Sequence, residues 1–422
     1  MTAVQPGRLP RATATAAGSL RTGARDTSHP AVQGPAVLSY YLVGGATLLL
    51  LALGVVMVLS ASSITSIRAT GSPYGQFVSQ ATFALVGVPL MVVASRIPVR
   101  WYRKLAWPAL GLGLLLQALI LTPLGLSEKG NTNWIFIPGT GQSIQPSEFL
   151  KLALAVWLGL VLARKAHLLH RWQHVLVPGI AVAVLALGLV LVGRDLGTAM
   201  VVALVVAGAM FVAGVPLKWF GAAVVGAAAV VSFLVISSPN RMQRITAVFG
   251  GECDESAACY QTLHGLYGLG TGGISGLGLG ASREKWAYLP EAHNDYIFAI
   301  IGEELGLWGT LLVLGLFAAL ATGMFRIVRR HPDPFVKITT GAIAAWILGQ
   351  ALINIGVVIG FLPVIGVPLP LVSAGGSALI ATLLAMGVVL AFARDEPGAS
   401  AALRARRGVV RRSLAVVGRG RG

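Results

Sequence analysis

This chain is short of charge. Of its 422 residues only 11% are charged against 55% hydrophobic. A soluble protein of this length needs more charge to cover its surface. Acids are scarcer still, 15 against 32 Lys and Arg. The sequence lacks a zinc-finger pattern, a P-loop, a His-Glu-x-x-His motif and a nucleophile elbow. It shows no clear internal repeat, which weakens an inverted-repeat transporter. It has two cysteines, so no Cys/His metal spacing exists and a metal is not demanded. The formal net charge of +17 could suggest nucleic acid, but the basic residues flank hydrophobic segments, as in a membrane protein. No nucleic-acid partner is expected.

Hydrophobic runs of membrane-spanning length fill most of what remains. The expected fold is an all-α polytopic membrane protein with ten spans. They lie near 39–62, 76–95, 104–124, 147–164, 174–193, 196–214, 217–237, 295–325, 338–361 and 372–393. The eighth run is too long for one perpendicular span, so it tilts or begins outside the hydrocarbon core. Most Lys and Arg fall in alternate connections, which puts both termini in the cytoplasm. Residues 1–37 read as a disordered basic tail and 394–422 as a disordered Arg-rich tail that lies on anionic membrane lipids. Residues 38–393 form the membrane domain. Its two long loops, 125–146 and 238–294, face outward, and long loops in compact proteins usually carry function.

Cys253 and Cys259 share the larger outer loop. A disulfide staple is expected there, two free thiols being the alternative. The same loop ends in Tyr288-Leu-Pro-Glu-Ala-His-Asn-Asp-Tyr-Ile-Phe-Ala-Ile-Ile-Gly-Glu-Glu-Leu-Gly306, which concentrates the scarce acids where a polar loop becomes an apolar helix. Acids in a membrane are costly and mostly functional. Asp295 at that boundary is either a half-buried general base or a helix N-cap. Glu291, four residues earlier, shares its face if the helix starts that early. Arg241, Arg244, Arg283 and Lys285 could hold phosphates or reach lipid headgroups. Glu148 and Lys151, three apart at the start of the fourth span, pair with each other or line a polar cavity. Trp134 is an interfacial anchor or a platform for sugar. At least one of Glu303 and Glu304 should face the bundle interior. Asn354 and Gln350 read as interhelical hydrogen-bond partners. The Gly-rich run Gly265–Gly280 follows no strand, so it serves close backbone approach rather than phosphate binding.

Together these residues resemble the SEDS family, the shape, elongation, division and sporulation proteins, over about residues 40–393. The pieces are Gln145-Pro-Ser-Glu-Phe-Leu-Lys151, Asp195-Leu-Gly-Thr-Ala199, Arg241-Met-Gln-Arg244, Leu289-Pro-Glu-Ala-His-Asn-Asp295 through Gly306, and Pro368-Leu-Pro-Leu-Val-Ser-Ala-Gly-Gly376. The last piece and Ile300-Ile-Gly-Glu-Glu-Leu-Gly306 are more like the division members than the elongation members. The resemblance implies a ten-helix peptidoglycan glycosyltransferase that polymerises lipid II at the outer face of the bacterial cytoplasmic membrane, at the division septum. It implies a class B penicillin-binding protein and other divisome proteins as partners. Asp295 matches the family's essential acid. Substrate-binding candidates are Trp134, Glu148, Lys151, Arg241, Arg244, Lys285, Glu291 and His293. A magnesium or manganese ion could share the screening of pyrophosphate. A lipid II flippase is the competing reading, but its polar groups should be spread through the bilayer rather than crowded at one face. Three positions depart from the family pattern: Arg194 where Pro is usual, Asn131-Thr-Asn133 where basic residues are common, and His264 where Gln is frequent.

Overall fold

The computed structural model describes residues 2, 37–128, 131–137, 142–169, 172–236, 242, 258–286, 288–400 and 402–403. All elements belong to the compact unit that begins at Ala36. They are α1 (Leu38–Thr70), α2 (Gly75–Ala94), α3 (Val99–Ala118), strands β1 (Gly125–Glu128), β2 (Asn131–Ile137) and β3 (Gln142–Ile144), then α4 (Pro146–Arg164) and the four-residue α5 (Trp172–Val175). There follow α6 (Ala181–Val192), α7 (Leu196–Val212), α8 (Leu217–Ile236), α9 (Ala258–Gly272), α10 (Ile297–Arg330), α11 (Pro334–Val358) and α12 (Gly376–Asp395). Seven of these, α1 to α4 and α10 to α12, are long and apolar enough to cross a membrane, and α6 to α8 supply three further apolar helices. The chain is thus a mostly helical polytopic membrane protein.

Among the long helices α4 is the most buried. It packs against α3, α7, α11 and α12. Without a hydrophobic drive between helices in lipid, such packing rests on close contact and small residues. Gly54 of α1 is an example: a Cβ there would stand 2.6 Å from the Leu371 carbonyl oxygen, so only glycine lets the segment 363–375 lie against α1. Outward side chains such as Leu85, Leu115 and Phe233 are exposed, as lipid-facing residues are.

Three expectations change. The loop 125–146 is a three-stranded antiparallel meander ordered β1-β2-β3, so the fold is not purely α-helical. The eighth run is not one continuous helix. It is broken at Gly306, whose backbone (φ 66°, ψ −158°) is non-helical inside α10. The folded part also runs past 393. Arg394 donates from Nη1 to the Ser95 carbonyl at 2.5 Å, and Glu396 and Ala399 are buried. Residues 404–422, 3–36, Arg241, Arg244 and Cys253 lie outside the described residues, and so does the side chain of Cys259. The expectations for residues 3–36 and 404–422, for phosphate binding by Arg241 and Arg244, and for the disulfide fall there.

The Gly-rich run explains how the break in α10 is tolerated. A broken helix frees backbone groups that must find partners. Here Leu277 and Gly278 donate their amides to the Glu303 and Glu304 carbonyls, each at 3.0 Å. The Leu307 amide donates to the Gly273 carbonyl at 3.0 Å. A Cβ on Gly306 would stand 2.5 Å from the Ile274 carbonyl oxygen. Glycines on both sides are what let two backbones meet this closely.

Candidate active site

Asp295 sits half-buried in a run of turns, 291–296, that leads into α10. The cap position is Tyr296, so Asp295 stands one residue outside the helix and is not its N-cap. Glu291 is not on a shared helical face either, because the helix starts only at Ile297. Glu291 instead takes a left-handed φ of 57°. Its carbonyl accepts the amides of Asn294 at 3.0 Å and Asp295 at 3.1 Å, and its carboxylate accepts Asn294 Nδ2 at 2.7 Å.

Three successive carbonyls of this turn are each held from elsewhere. The Ala374 amide donates to His293 at 3.0 Å. Ser373 Oγ donates to Asn294 at 2.6 Å. Asn354 Nδ2 donates to Asp295 at 2.7 Å and to the Val367 carbonyl at 2.8 Å. Asn354 and Gln350, one turn apart on α11, thus bond to groups outside their own helix. Each reaches the segment 363–375: Gln350 Nε2 donates to the Pro368 carbonyl at 2.8 Å. That segment carries its own strain, Leu371 at φ 68°. A bulky residue with positive φ is a rare and costly state, about 1–3 kcal/mol, and such states cluster at functional sites. Gln80 of α2 closes the frame, donating Nε2 to the Ser373 carbonyl at 3.1 Å and accepting the Gly375 amide at 3.2 Å. Opposite Asp295 is Gly366, where a Cβ would fall 3.6 Å from the carboxylate Oδ2.

Behind this frame lies a buried ion pair. Lys151 Nζ donates to Glu148 Oε1 at 2.8 Å, with side chains only 2% and 5% exposed. The ammonium also stands 3.4 Å from Gln350 Oε1 and 4.7 Å from the centre of the Trp346 ring. Glu148 and Lys151 thus pair with each other, and through Gln350 they support the segment that faces Asp295. Removing one partner of such a pair leaves a buried charge uncompensated.

A second acid cluster closes the far end of the half-helix 297–305. Both Glu303 and Glu304 are buried. Lys285 Nζ is 3.1 Å from Glu304 Oε1 and also donates to the Gly280 carbonyl at 2.6 Å. Ser60 Oγ donates to the same carboxylate at 2.7 Å. Glu303 takes the Arg283 amide at 2.8 Å and the Ser282 hydroxyl. The structure therefore uses Lys285 as a buried counter-ion. Close by, His264 Nδ1 lies 2.7 Å from Glu284 Oε2. Burial pushes the Glu284 carboxyl above its ordinary 4.5; the His264 hydrogen bond and charge offset this in part, and nearby Glu303 adds to it.

Trp134 is half-buried on β2, across from Leu126. Its neighbour Asn133 donates Nδ2 to Asp195 Oδ2 at 2.7 Å, and Gln145 Nε2 reaches the same oxygen at 3.1 Å. Asp195 caps α7 through the Thr198 amide at 2.8 Å. The meander is thereby fixed to two helix starts. Arg194 precedes this cap with φ 62°, and its amide donates to the Leu191 carbonyl at 2.9 Å. Proline allows neither, so the departure at this position gives a different turn. Ser60 and Gln80 were not singled out by sequence. The available signal was a polar residue inside an apolar span. Among the described residues no group of three His, Cys, Asp or Glu side chains could hold a metal ion.

Residues 41–397 match the family model described as cell cycle protein, which groups FtsW, RodA and SpoVE. A Mycobacterium tuberculosis protein named "Probable peptidoglycan glycosyltransferase FtsW" is 39% identical over 398 residues, covering 92% of this chain and 76% of the relative. A Marinobacter nauticus protein of the same name is 39% identical over 344 residues, 81% of this chain and 86% of the relative. Among solved structures, the rod shape determining protein RodA of Thermus thermophilus aligns with TM-score 0.63 and 27% identity over 84% of this chain and 97% of that one. A chain from a structure described as "Structural coordination of polymerization and crosslinking by a peptidoglycan synthase complex" aligns with TM-score 0.68 and 27% identity, at the same coverage. This chain belongs to the cell cycle protein family of FtsW, RodA and SpoVE.

Proposed function

We propose that this protein is a peptidoglycan glycosyltransferase that polymerises lipid II during septal wall synthesis. The observation that carries the reading is the clamped turn at Asp295, whose three consecutive carbonyls are fixed from α11 and from the segment 363–375. A preorganised base of this kind needs no reorganisation at the moment of reaction. In the reaction, the 4-hydroxyl of one lipid II sugar attacks the anomeric carbon of a lipid-linked chain. The hydroxyl proton passes to Asp295, the new glycosidic bond forms, and undecaprenyl pyrophosphate leaves. Such a reaction needs one base and some cations, and no covalent nucleophile. Arg241 and Arg244 are our candidates for the cations, with Trp134, Glu291 and His293 as substrate contacts. Glu148, Lys151 and Lys285 act on substrate through the frame they support.

The same reading makes the three apolar helices α6 to α8 spans, ten in all, with both termini cytoplasmic and Asp295 at the outer face. It also supplies a class B penicillin-binding protein as the transpeptidase partner, supported by the synthase-complex relative. The test is polymerisation of purified lipid II by the protein with its partner, wild type against Asp295→Asn. Removing a general base costs about 10²–10⁴-fold in rate. Polymerisation by Asp295→Asn near the wild-type rate would move the base elsewhere. Adding a chelator reads whether a divalent ion shares the pyrophosphate.

A further inference from the structure

Of the seven long helices α2 is the least buried, yet it buries a glutamine. The residues it buries are Gln80, Gly87, Met91 and Ala94, and Gln80 is the polar one among them. Gln80 is 3% exposed. A buried amide is costly unless its donors and its acceptor are used. Both ends of this one are used on a single short stretch. Nε2 donates to the Ser373 carbonyl at 3.1 Å, and Oε1 accepts the Gly375 amide at 3.2 Å. One side chain thus grips the two peptide units on either side of Ala374.

The first of those units faces the Asp295 turn. The Ser373 carbonyl and the Ala374 amide belong to one peptide unit, which is planar and points the two groups in opposite directions. Gln80 holds the carbonyl from the α2 side, and the amide donates to the His293 carbonyl at 3.0 Å on the other. Fixing one end of a rigid plane sets the aim of the other. Hydrogen bonds in line through a peptide also polarise one another. Ser373 adds a second link: its hydroxyl donates to the Asn294 carbonyl at 2.6 Å and accepts the Leu369 amide at 2.8 Å. Phe83, one turn beyond Gln80, seats α2 at the same place, because a Cβ on Gly376 would strike its ring. The rest of α2 packs against α1 and α12.

We infer that Gln80 is a positioning residue for Asp295, acting on the base from α2 through the Ser373–Ala374 peptide. The inference rests on the glycosyltransferase reading for the word base, and on the hydrogen-bond route alone for the coupling. Gln80→Met keeps the length and bulk of the side chain and removes both bonds. Gln80→Asn keeps an amide but is one methylene short of the two backbone groups. Gln117→Met is the control, because Gln117 is also buried in an apolar helix, α3, at 1% exposed, and its Oε1 has no partner. In nanodiscs with the transpeptidase partner, Gln80→Met should lower kcat for lipid II polymerisation by up to about 10²-fold, the scale of a misplaced catalytic group, with KM within about twofold. Gln80→Asn should lower kcat by less, and Gln117→Met should keep the wild-type kcat. In a double variant with Ser373→Ala the two losses should not multiply, because both changes cut one route.

A separate arm needs no catalysis. Amide hydrogen exchange, followed by mass spectrometry on peptides that span 291–297, reads the turn itself. Gln80→Met should speed exchange there by about tenfold, the effect of one lost hydrogen bond of ordinary strength. Gln117→Met should leave it as in the wild type. Unchanged exchange at 291–297 in both Gln80 variants, or an equal kcat loss in Gln117→Met, overturns the positioning role. A raised KM with kcat kept overturns it as well. If wild-type protein fails to polymerise but Gln80→Met loosens 291–297, the route stands and the enzymatic reading falls.

Discussion

The two ends of the helical bundle carry Lys and Arg ion pairs of different exposure. At the end that carries Asp295, ion pairs are dry: Lys151–Glu148 is 2% and 5% exposed, Lys285–Glu304 5% and 0%. At the other end the Arg103–Asp333 pair, which ties α3 to the start of α11, is 44% and 21% exposed. Backbone strain follows the same division. Among the described residues from 37 on, the left-handed non-glycine residues are Arg194, Glu291 and Leu371, all at the first end. Wet ion pairs contribute little and cost little. Dry pairs and strained turns are expensive unless something uses them. The expense of the first end fits the catalytic role proposed for it.

The comparison breaks if the expensive end proves dispensable. Asp295→Asn should show the largest effect, a loss of about 10²–10⁴-fold in lipid II polymerisation with insertion and partner binding intact. Lys151→Met leaves Glu148 buried and unpaired and should lower unfolding stability by about 3–5 kcal/mol, measured by denaturation in detergent. Asn354→Ala frees two carbonyls, those of Asp295 and Val367. It should cost about 1–3 kcal/mol and lower kcat more than it raises KM, because it loosens the base rather than the substrate.

Smaller effects sharpen the contrast. Arg103→Ala at the wet end should change stability by less than about 1 kcal/mol, and polymerisation should be unaffected. The smallest effect concerns Glu284. Its carboxyl titrates higher in the folded protein than in the unfolded chain, so the folded state keeps this proton longer. The stability it contributes is whole below the ordinary carboxylate value of 4.5 and falls as pH rises through the raised one. Glu284→Gln should flatten that fall in a pH series of unfolding midpoints.

Much of the dry end was legible in the sequence, and what was missed has a common cause. The long spans declare themselves by unbroken apolar runs, and the spacing of Glu148 and Lys151 includes their pairing as one of two outcomes. Asp295 stands out because acids are rare and its surroundings change from polar to apolar. The meander at 125–144 is hidden because its outer strands are only four and three residues long and its central strand, Asn131–Ile137, does not alternate polar and apolar residues. The break in α10 is hidden because a single glycine, Gly306, interrupts an otherwise continuous apolar run. Lys285 looked like an open cation because its partner Glu304 lies 19 residues away. The grips of Ser373 and Asn354 on the Asp295 turn span 79 and 59 residues. Local pattern carries local structure, and these contacts are made by tertiary folding.

The plugged break at Gly306 has a consequence for how the chain can vary. Two amides of the Gly-rich run answer two carbonyls of the half-helix, and one amide beyond the break answers a carbonyl of the run. The run is therefore a spacer of set length. One residue more or fewer between Gly273 and Gly278 would throw these bonds out of step and move the half-helix along its axis, carrying Asp295 with it. Insertions that other surface loops absorb would here shift Asp295 against the segment 363–375.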